Sequence, residues 1–181
     1  NNSSDYFITE ITNATHCARS WNFGMALKED GSLDGWGNFY PSPDSLTDII
    51  AIDAGSGHAV ALTSDGRIHE WGYDGQSGEV LTSSEPIASL TGIVDISAGT
   101  SATMAIFEDG SAKAWTWPEG MVYLDIPASE GVVDGAVNWS ISTYITYDGR
   151  SVTSSNFGNA DVQLDVEPQI ACGVCVYDFD G

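Results

Sequence analysis

The sequence predicts an all-β protein assembled from short repeated units, and three observations predict it. The pair Asp-Gly recurs as Asp30-Gly31, Asp65-Gly66, Asp109-Gly110, Asp148-Gly149 and Asp180-Gly181. A frame travels with each pair. Ala26, Ala61, Ala105, Tyr144 or Val176 stands four residues before the Asp, followed by Leu27, Leu62, Ile106, Ile145 or Tyr177. Trp36, Trp71 or Trp115 stands six residues after it, with Ser154 in the fourth copy. The glycines step 31→66→110→149→181, the period of one supersecondary unit per repeat. Helical periodicity is missing throughout, because no stretch sustains apolar residues at i, i+3, i+4 and i+7.

The second copy shows what one unit contains. Ile50-Ala51-Ile52-Asp53 alternates apolar with smaller or polar residues, and Ala54-Gly55-Ser56-Gly57 is a turn cluster. His58–Thr63 reads as a buried strand, and Ser64-Asp65-Gly66 as a tight hairpin, since Gly accepts the positive φ such turns demand. Arg67–Gly72 is a third strand with Ile68 and His69 on opposite faces. Three short strands, short turns and a longer crossover to the next unit form the pattern of a β-propeller blade, so the expected fold is a propeller of short three- to four-stranded blades. Trp36, Trp71 and Trp115 are expected to pack between blades, where an indole buries a large apolar area.

At this copy the chain resembles a known family. Trp71-Gly72-Tyr73-Asp74-Gly75-Gln76-Ser77-Gly78 is similar to the Trp-Gly…Gly-Gln-Leu-Gly signature of regulator-of-chromosome-condensation repeats, and Ile93-Val94-Asp95-Ile96-Ser97-Ala98-Gly99 to the way that family opens its next blade. His58 occupies the His that often precedes the Ala-Leu step. Copy three keeps Ala98-Gly99, Ala105-Ile106, Asp109-Gly110 and Trp115 but has Thr116 where Gly is usual; copy one has Arg19-Ser20 in place of Ala-Gly. Copy four retains chiefly Ile145 and Asp148-Gly149. The short period is closer to the β-lactamase-inhibitor propellers of that superfamily than to its longer eukaryotic blades.

As a single domain, the repeats run approximately over 11–48, 49–92, 93–131, 132–168 and 169–181. The last stops at its hairpin, and open sheet edges invite association. Asp5–Ile11 reads as a strand that, docked beside Gln169–Tyr177, completes the fifth blade and closes a five-bladed ring. The rival expectation is that these residues are part of a longer chain of seven blades, the number that the resembling families use.

Composition narrows the function classes. Five basic residues against 26 acidic ones give a net charge of −21, with the acids spread through all repeats. Displacing the counterions of a phosphate backbone requires Lys and Arg, so nucleic acid and anionic membrane are poor partners for this chain. There is no apolar run long enough to span a bilayer, and membrane insertion is not expected. The chromatin and nucleotide-exchange roles of the best-known relatives find no residues here to carry them.

Catalysis has little to rest on. His16, His58 and His69 fall at unrelated repeat positions, and no nucleophile elbow, phosphate loop or His-Glu-x-x-His is present. No cofactor is expected, although a calcium reading attaches to Asp178-Phe179-Asp180-Gly181 and to Asp30-Gly31…Asp34-Gly35, which resemble the opening of a calcium loop. The cysteines Cys17, Cys172 and Cys175 admit three readings: plain buried thiols, a disulfide stapling the ring's seam in an oxidising compartment, or zinc held with His16. Asn13-Ala14-Thr15 and Asn138-Trp139-Ser140 are glycosylation sequons.

Departures from the repeat say more. Trp21 and Trp139 occupy the turn position filled by Ser56 and Thr100 in the better copies, on one rim of the ring. No fold requirement puts a large aromatic there. Trp117, Tyr73, Phe39 and Tyr40 stand in neighbouring loops. Aromatic residues dominate binding hot spots, so these six are the expected partner contacts, Trp21 and Trp139 first. The competing expectation is that the rings fold back over the core or plug the channel. Copies such as Ala26–Asn38 resemble repeats in virion and surface proteins of aquatic microbes and their phages. The expected function is therefore a non-enzymatic interaction or structural module, extracellular or on a virion surface, engaging a protein partner or larger assembly and open to self-association. A secreted inhibitor acting through aromatic rim loops is the alternative.

Overall fold

A computed structural model describes residues 11–21, 23–37, 46–73, 80–82, 84, 87–138 and 141–155. Fourteen strands are present among them: β1 (Ala14–Arg19), β2 (Phe23–Lys28), β3 (Leu33–Gly37), β4 (Ile49–Ala54), β5 (His58–Thr63), β6 (Ile68–Tyr73), β7 (Val80–Thr82), β8 (Ile93–Ala98), β9 (Ala102–Phe107), β10 (Ala112–Thr116), β11 (Val122–Ile126), β12 (Val132–Val137), β13 (Ile141–Thr146) and β14 (Ser151–Ser155). They form four antiparallel meanders, β1-β2-β3, β4-β5-β6-β7, β8-β9-β10-β11 and β12-β13-β14. Each meander is one blade, and the three- to four-stranded expectation holds. The first strand of each blade touches the first strand of the next, which places β1, β4, β8 and β12 innermost.

Repetition extends to backbone detail. The hairpin glycines Gly31, Gly66, Gly110 and Gly149 take φ of 77°, 75°, 82° and 85°, which explains why Gly follows the Asp. Seventeen residues before each hairpin Asp (13→30, 48→65, 92→109, 131→148) stands another positive-φ residue: Asn13, Asp48, Gly92 or Gly131. Asn and Asp tolerate this left-handed region better than other side chains. The carbonyl of each accepts the N–H of Glu29, Ser64, Glu108 or Tyr147, tying the start of the first strand to its own hairpin.

A bulge follows at once in all four blades, where pairing slips between Ala14 and His16, Ile49 and Ala51, Ile93 and Asp95, and Val132 and Asp134. The extra residue bends the strand and is turned outward, leaving Thr15, Ile50, Val94 and Val133 exposed. Nothing in the alternation of the sequence announces this, because a bulge breaks the period of two.

Blades pack face to face through alternating positions of their second strands. Phe23, Met25 and Leu27 of the first blade meet Ile49, Ala59, Ala61 and Trp71 of the second. Val60, Leu62 and Ile68 of the second meet Ile93, Ile96, Ala105 and Trp115 of the third, and Ile106 and Ala112 of the third meet Val132 and Tyr144 of the fourth. Trp71 and Trp115 are buried between blades as expected. Trp36 is only half-buried and lies across Gly24 of its own blade, where an added Cβ would come within 2.3 Å of the indole. No described blade precedes the first, so this ring has no second wall. The proposed closing strand Asp5–Ile11 and the fifth copy lie outside the described residues.

Candidate functional site

Strand direction alternates within each meander, so the two rims carry different loops. One rim holds the Asp-Gly hairpins. There Asp30 Oδ1 accepts Ser32 N at 3.0 Å and Ser32 Oγ at 2.6 Å, and Asp109 Oδ1 accepts Ser111 N at 2.9 Å and Ser111 Oγ at 2.6 Å. Asp65 accepts Thr63 Oγ1 at 2.7 Å, and Asp148 accepts the Thr146 hydroxyl. These side-chain bonds, first among the causes, hold all four carboxyls below their ordinary value. Their geometry is that of an Asx or hydroxyl-capped turn, so these carboxylates serve their own hairpins. Asp34, part of the calcium reading, is ion-paired with Lys28 at 3.3 Å. Asp178–Gly181 lie outside the described residues, and among the described residues no cluster of three metal-ligating side chains occurs.

The opposite rim carries the turns between first and second strands. Trp21 is 80% exposed there, yet it is not loose: its indole Nε1 donates to Ser56 O at 3.0 Å. Ser20 Oγ donates to the same carbonyl at 3.2 Å. The two bonds bind the first blade's turn to the second's. Arg19, Ser20, Trp21, Gly55, Ser56 and Gly99 line a pocket of about 290 Å³ at this place. Lys28, Arg67, Lys113 and Arg150 are all engaged in ion pairs, whereas exposed Arg19 has none with a described residue. Tight backbone contacts set the floor of the pocket. A Cβ on Gly55 would stand 2.1 Å from Gly99 O, and one on Gly99 would stand 2.1 Å from Val137 O. This is the physical content of the Ala-Gly step in the repeat: the next blade's backbone fills the space.

Beneath that rim lies a buried polar cluster joining blades two and three. Glu70 is 2% exposed, and its Oε1 accepts Trp115 Nε1 at 3.0 Å. His58 is fully buried, with Nε2 at 3.0 Å from Thr103 Oγ1. Thr103 also bonds Glu70, so one hydroxyl links the two titratable groups. Burial pushes Glu70 up to about 7 against these hydrogen bonds, and burial pushes His58 down to about 4. His58 Nδ1 has no hydrogen-bond partner among the described residues. The sequence placed His58 at a position the resembling repeats share, but Glu70 went unnoticed among 26 acids. Its one available signal was the alternation of β6, which puts it on the face of buried Ile68 and opposite Trp71.

Of the six expected contacts, Trp21 stands on the rim and Trp117 does not. Trp117 is 7% exposed and stacks on His58 with centroids 5.1 Å apart and planes 12° off parallel. Its ring covers the interblade cluster, which is the fold-back reading, and it leaves the contact set. Trp139, Phe39 and Tyr40 lie outside the described residues, as does the side chain of Tyr73. Cys17 is an exposed free thiol on β1, so the buried-thiol reading does not apply to it. Cys172 and Cys175 lie outside the described residues, and neither the seam disulfide nor the zinc set is visible. His16 is exposed, with Nδ1 at 3.2 Å from Thr15 Oγ1.

Comparison with known proteins agrees with this architecture. Residues 49–79 match the Regulator of chromosome condensation (RCC1) repeat family. No curated protein matches the sequence. Among solved structures, the chain is similar to Prp20p of Saccharomyces cerevisiae, described with its binding to Gsp1p and histones, at TM-score 0.60 and 16% identity over 84% of this chain and 49% of that one. It is similar to human WBSCR16 at TM-score 0.60 and 11% identity, over 77% of this chain and 46% of that one. The C-terminal domain of gp131 from bacteriophage phiKZ aligns at TM-score 0.56 and 9% identity, over 86% of this chain and 55% of that one. The chain thus spans about half the length of these structures. Its fold is that of repeated propeller blades, and residues 49–79 form an RCC1-like repeat.

Proposed function

We propose that this chain is a non-enzymatic protein-interaction module whose contact surface is the rim bearing Trp21 and Arg19. The observation that carries the reading is Trp21: an indole 80% exposed, at a turn where the fold needs no aromatic, fixed by a hydrogen bond to the neighbouring blade. A ring already immobilised loses little rotamer entropy on binding, and Trp and Arg are the residue types that dominate hot spots. Arg19 beside it, which has no ion pair with a described residue, suits a partner that presents a carboxylate or carbonyl to the same pocket. One of the similar proteins supports protein partners as the ligand class, since Prp20p is described binding Gsp1p and histones and, in a second structure, bound by Kap60. The net charge of −21 argues against nucleic acid.

The finer reading is a module displayed outside the cell or on a virion, in keeping with the likeness to a phage protein domain. The alternative is a secreted propeller that inhibits its partner through the same rim. Native isolation separates them: a display protein copurifies with an assembly at fixed stoichiometry, and an inhibitor binds one partner alone. The rim itself is tested by Trp21→Ala and Arg19→Ala. Each should weaken partner binding at least about tenfold with the thermal transition unchanged. Undiminished binding by both variants would remove this rim from the proposal.

A further inference from the structure

The fourth blade presents a face that its predecessors keep covered. Three positions of each second strand point at the following blade: those seven, five and three residues before the hairpin Asp. The first of these is Phe23 at 7% exposure, His58 at 0%, Ala102 at 0%, then Ile141 at 49%. The last is Leu27 at 2%, Leu62 at 0%, Ile106 at 3%, then Ile145 at 40%. The middle position, buried as Met25, Val60 and Met104, is half-buried as Thr143. The side chains Ile141 and Ile145 are of core type, but no described residue covers them.

We propose that this face is the docking surface for residues 165–181 of the same chain, which supply the first two strands of a fifth blade. Three observations select that occupant. First, the segment carries the frame that every docked blade carries: Asp165-Val166 matches Asp48-Ile49, Val174 and Val176 match Ala59 and Ala61, and Asp180-Gly181 is the hairpin. The two Val side chains fall on the alternate positions that face the preceding blade in copies two and three. Second, the backbone already shows the joint. Gly66 O accepts Ile93 N at 3.1 Å and Gly110 O accepts Val132 N at 2.8 Å, each time the first apolar residue of the next blade, a bond present at two of the three described joints and absent between Gly31 and Ile49. Gly149 has the same conformation, at φ 85°, and among the described residues its carbonyl receives no such donor. Val166 N–H is the group in register for it. Third, the tether fits, because Gly149→Val166 spans nearly the same number of residues as Gly31→Ile49. The segment departs from the frame once: its turn between first and second strands is two residues shorter, with Asp165 standing fifteen residues before Asp180.

The docking makes Ile145 pack on Val166 and Val176, as Leu27 packs on Ile49 and Ala61. It points Cys175, one residue earlier, away from the fourth blade. Hydrogen exchange followed by mass spectrometry on the full chain tests this. Peptides covering 166–178 should exchange about 100-fold more slowly than an unstructured chain, as docked strands do. Ile145→Asp should abolish that protection while β4–β6 and β8–β10 keep theirs. Val176→Asp, which leaves all four described blades untouched, should do the same. Random-coil exchange of 166–178 in the wild type overturns the proposal. So does protection that survives both substitutions. Sedimentation of the same samples reads the rival occupant: a dimer that Ile145→Asp dissociates, with 166–178 unprotected throughout, would assign the face to a second copy and end the assignment to the chain's own segment.

Discussion

Replacing Glu70 by Gln should change how stability depends on pH while leaving the fold intact. Gln keeps an oxygen to accept Trp115 Nε1 and an amide to meet Thr103, so the cluster stays hydrogen-bonded. The native pKa of Glu70 is raised from 4.5 to about 7. Between those values the folded state binds the proton that the unfolded chain releases, so stability is full below pH 4.5 and falls until pH 7. At 1.36 kcal/mol per pKa unit, the loss is about 3 kcal/mol across the window. His58 acts in the opposite sense. Its native pKa is lowered from 6.5 to about 4, the unfolded chain binds the extra proton, and stability rises between pH 4 and 6.5 by about 3 kcal/mol. From pH 4.5 to 6.5 the two slopes nearly cancel, and these two groups together leave the wild type almost flat. The variants expose each slope. Urea unfolding followed by tryptophan fluorescence, at intervals from pH 4 to 8, gives the stability difference between variant and wild type. Glu70→Gln minus wild type should rise by about 3 kcal/mol from pH 4.5 to 7. His58→Gln minus wild type should fall by a similar amount from pH 4 to 6.5. Other titrating groups, including Asp95, whose pKa is raised mainly by burial, cancel in the difference. Parallel stability curves for Glu70→Gln and wild type would refute the buried-carboxyl reasoning outright.

Three further expectations follow from the packing. Gly55→Ala or Gly99→Ala forces a methyl group to 2.1 Å from a backbone carbonyl of the next blade, so each should lower the unfolding free energy by about 2 kcal/mol, while Gly57→Ala, with open space around it, should cost far less. Trp115→Phe removes the donor to buried Glu70, and Trp115→Ala also empties the interblade space; equilibrium unfolding should show about 3–5 kcal/mol lost for Ala, against a smaller loss for Trp36→Ala on the half-covered ring. Ser111→Ala should raise the Asp109 carboxyl toward its ordinary value in a carbon-detected NMR titration, because the Ser111 hydroxyl is the largest cause of its depression; an unmoved titration would show that the backbone bond alone suffices.

Much of this protein could be read from its residues. The Asp-Gly frame located all four described hairpins, and the β5 bounds His58–Thr63 are those expected from its apolar run. Trp71 and Trp115 were assigned correctly to the space between blades, and Trp21 to a rim. These features were legible because they depend on local rules: Gly at positive φ, a period of two along a strand, a repeat that restates itself. Contacts across blades were not. Trp117 looked like Trp21 in sequence, each an aromatic beside a turn, yet one stacks on His58 and the other projects into solvent. What separates them is a neighbouring blade's side chain some 60 residues away in the chain (117 against 58), and no local pattern encodes that.

The sequence by itself determined the repeat, the all-β class, the hairpins and the charge that argues against nucleic acid. Tertiary structure alone decided which acid is buried, which aromatic is exposed, why Gly55 and Gly99 must be glycine, and where the array is left uncovered at Ile141 and Ile145. The physical reason is the range of the interactions: turn and strand preferences act within a few residues, whereas burial is set by whatever the next blade brings against the face.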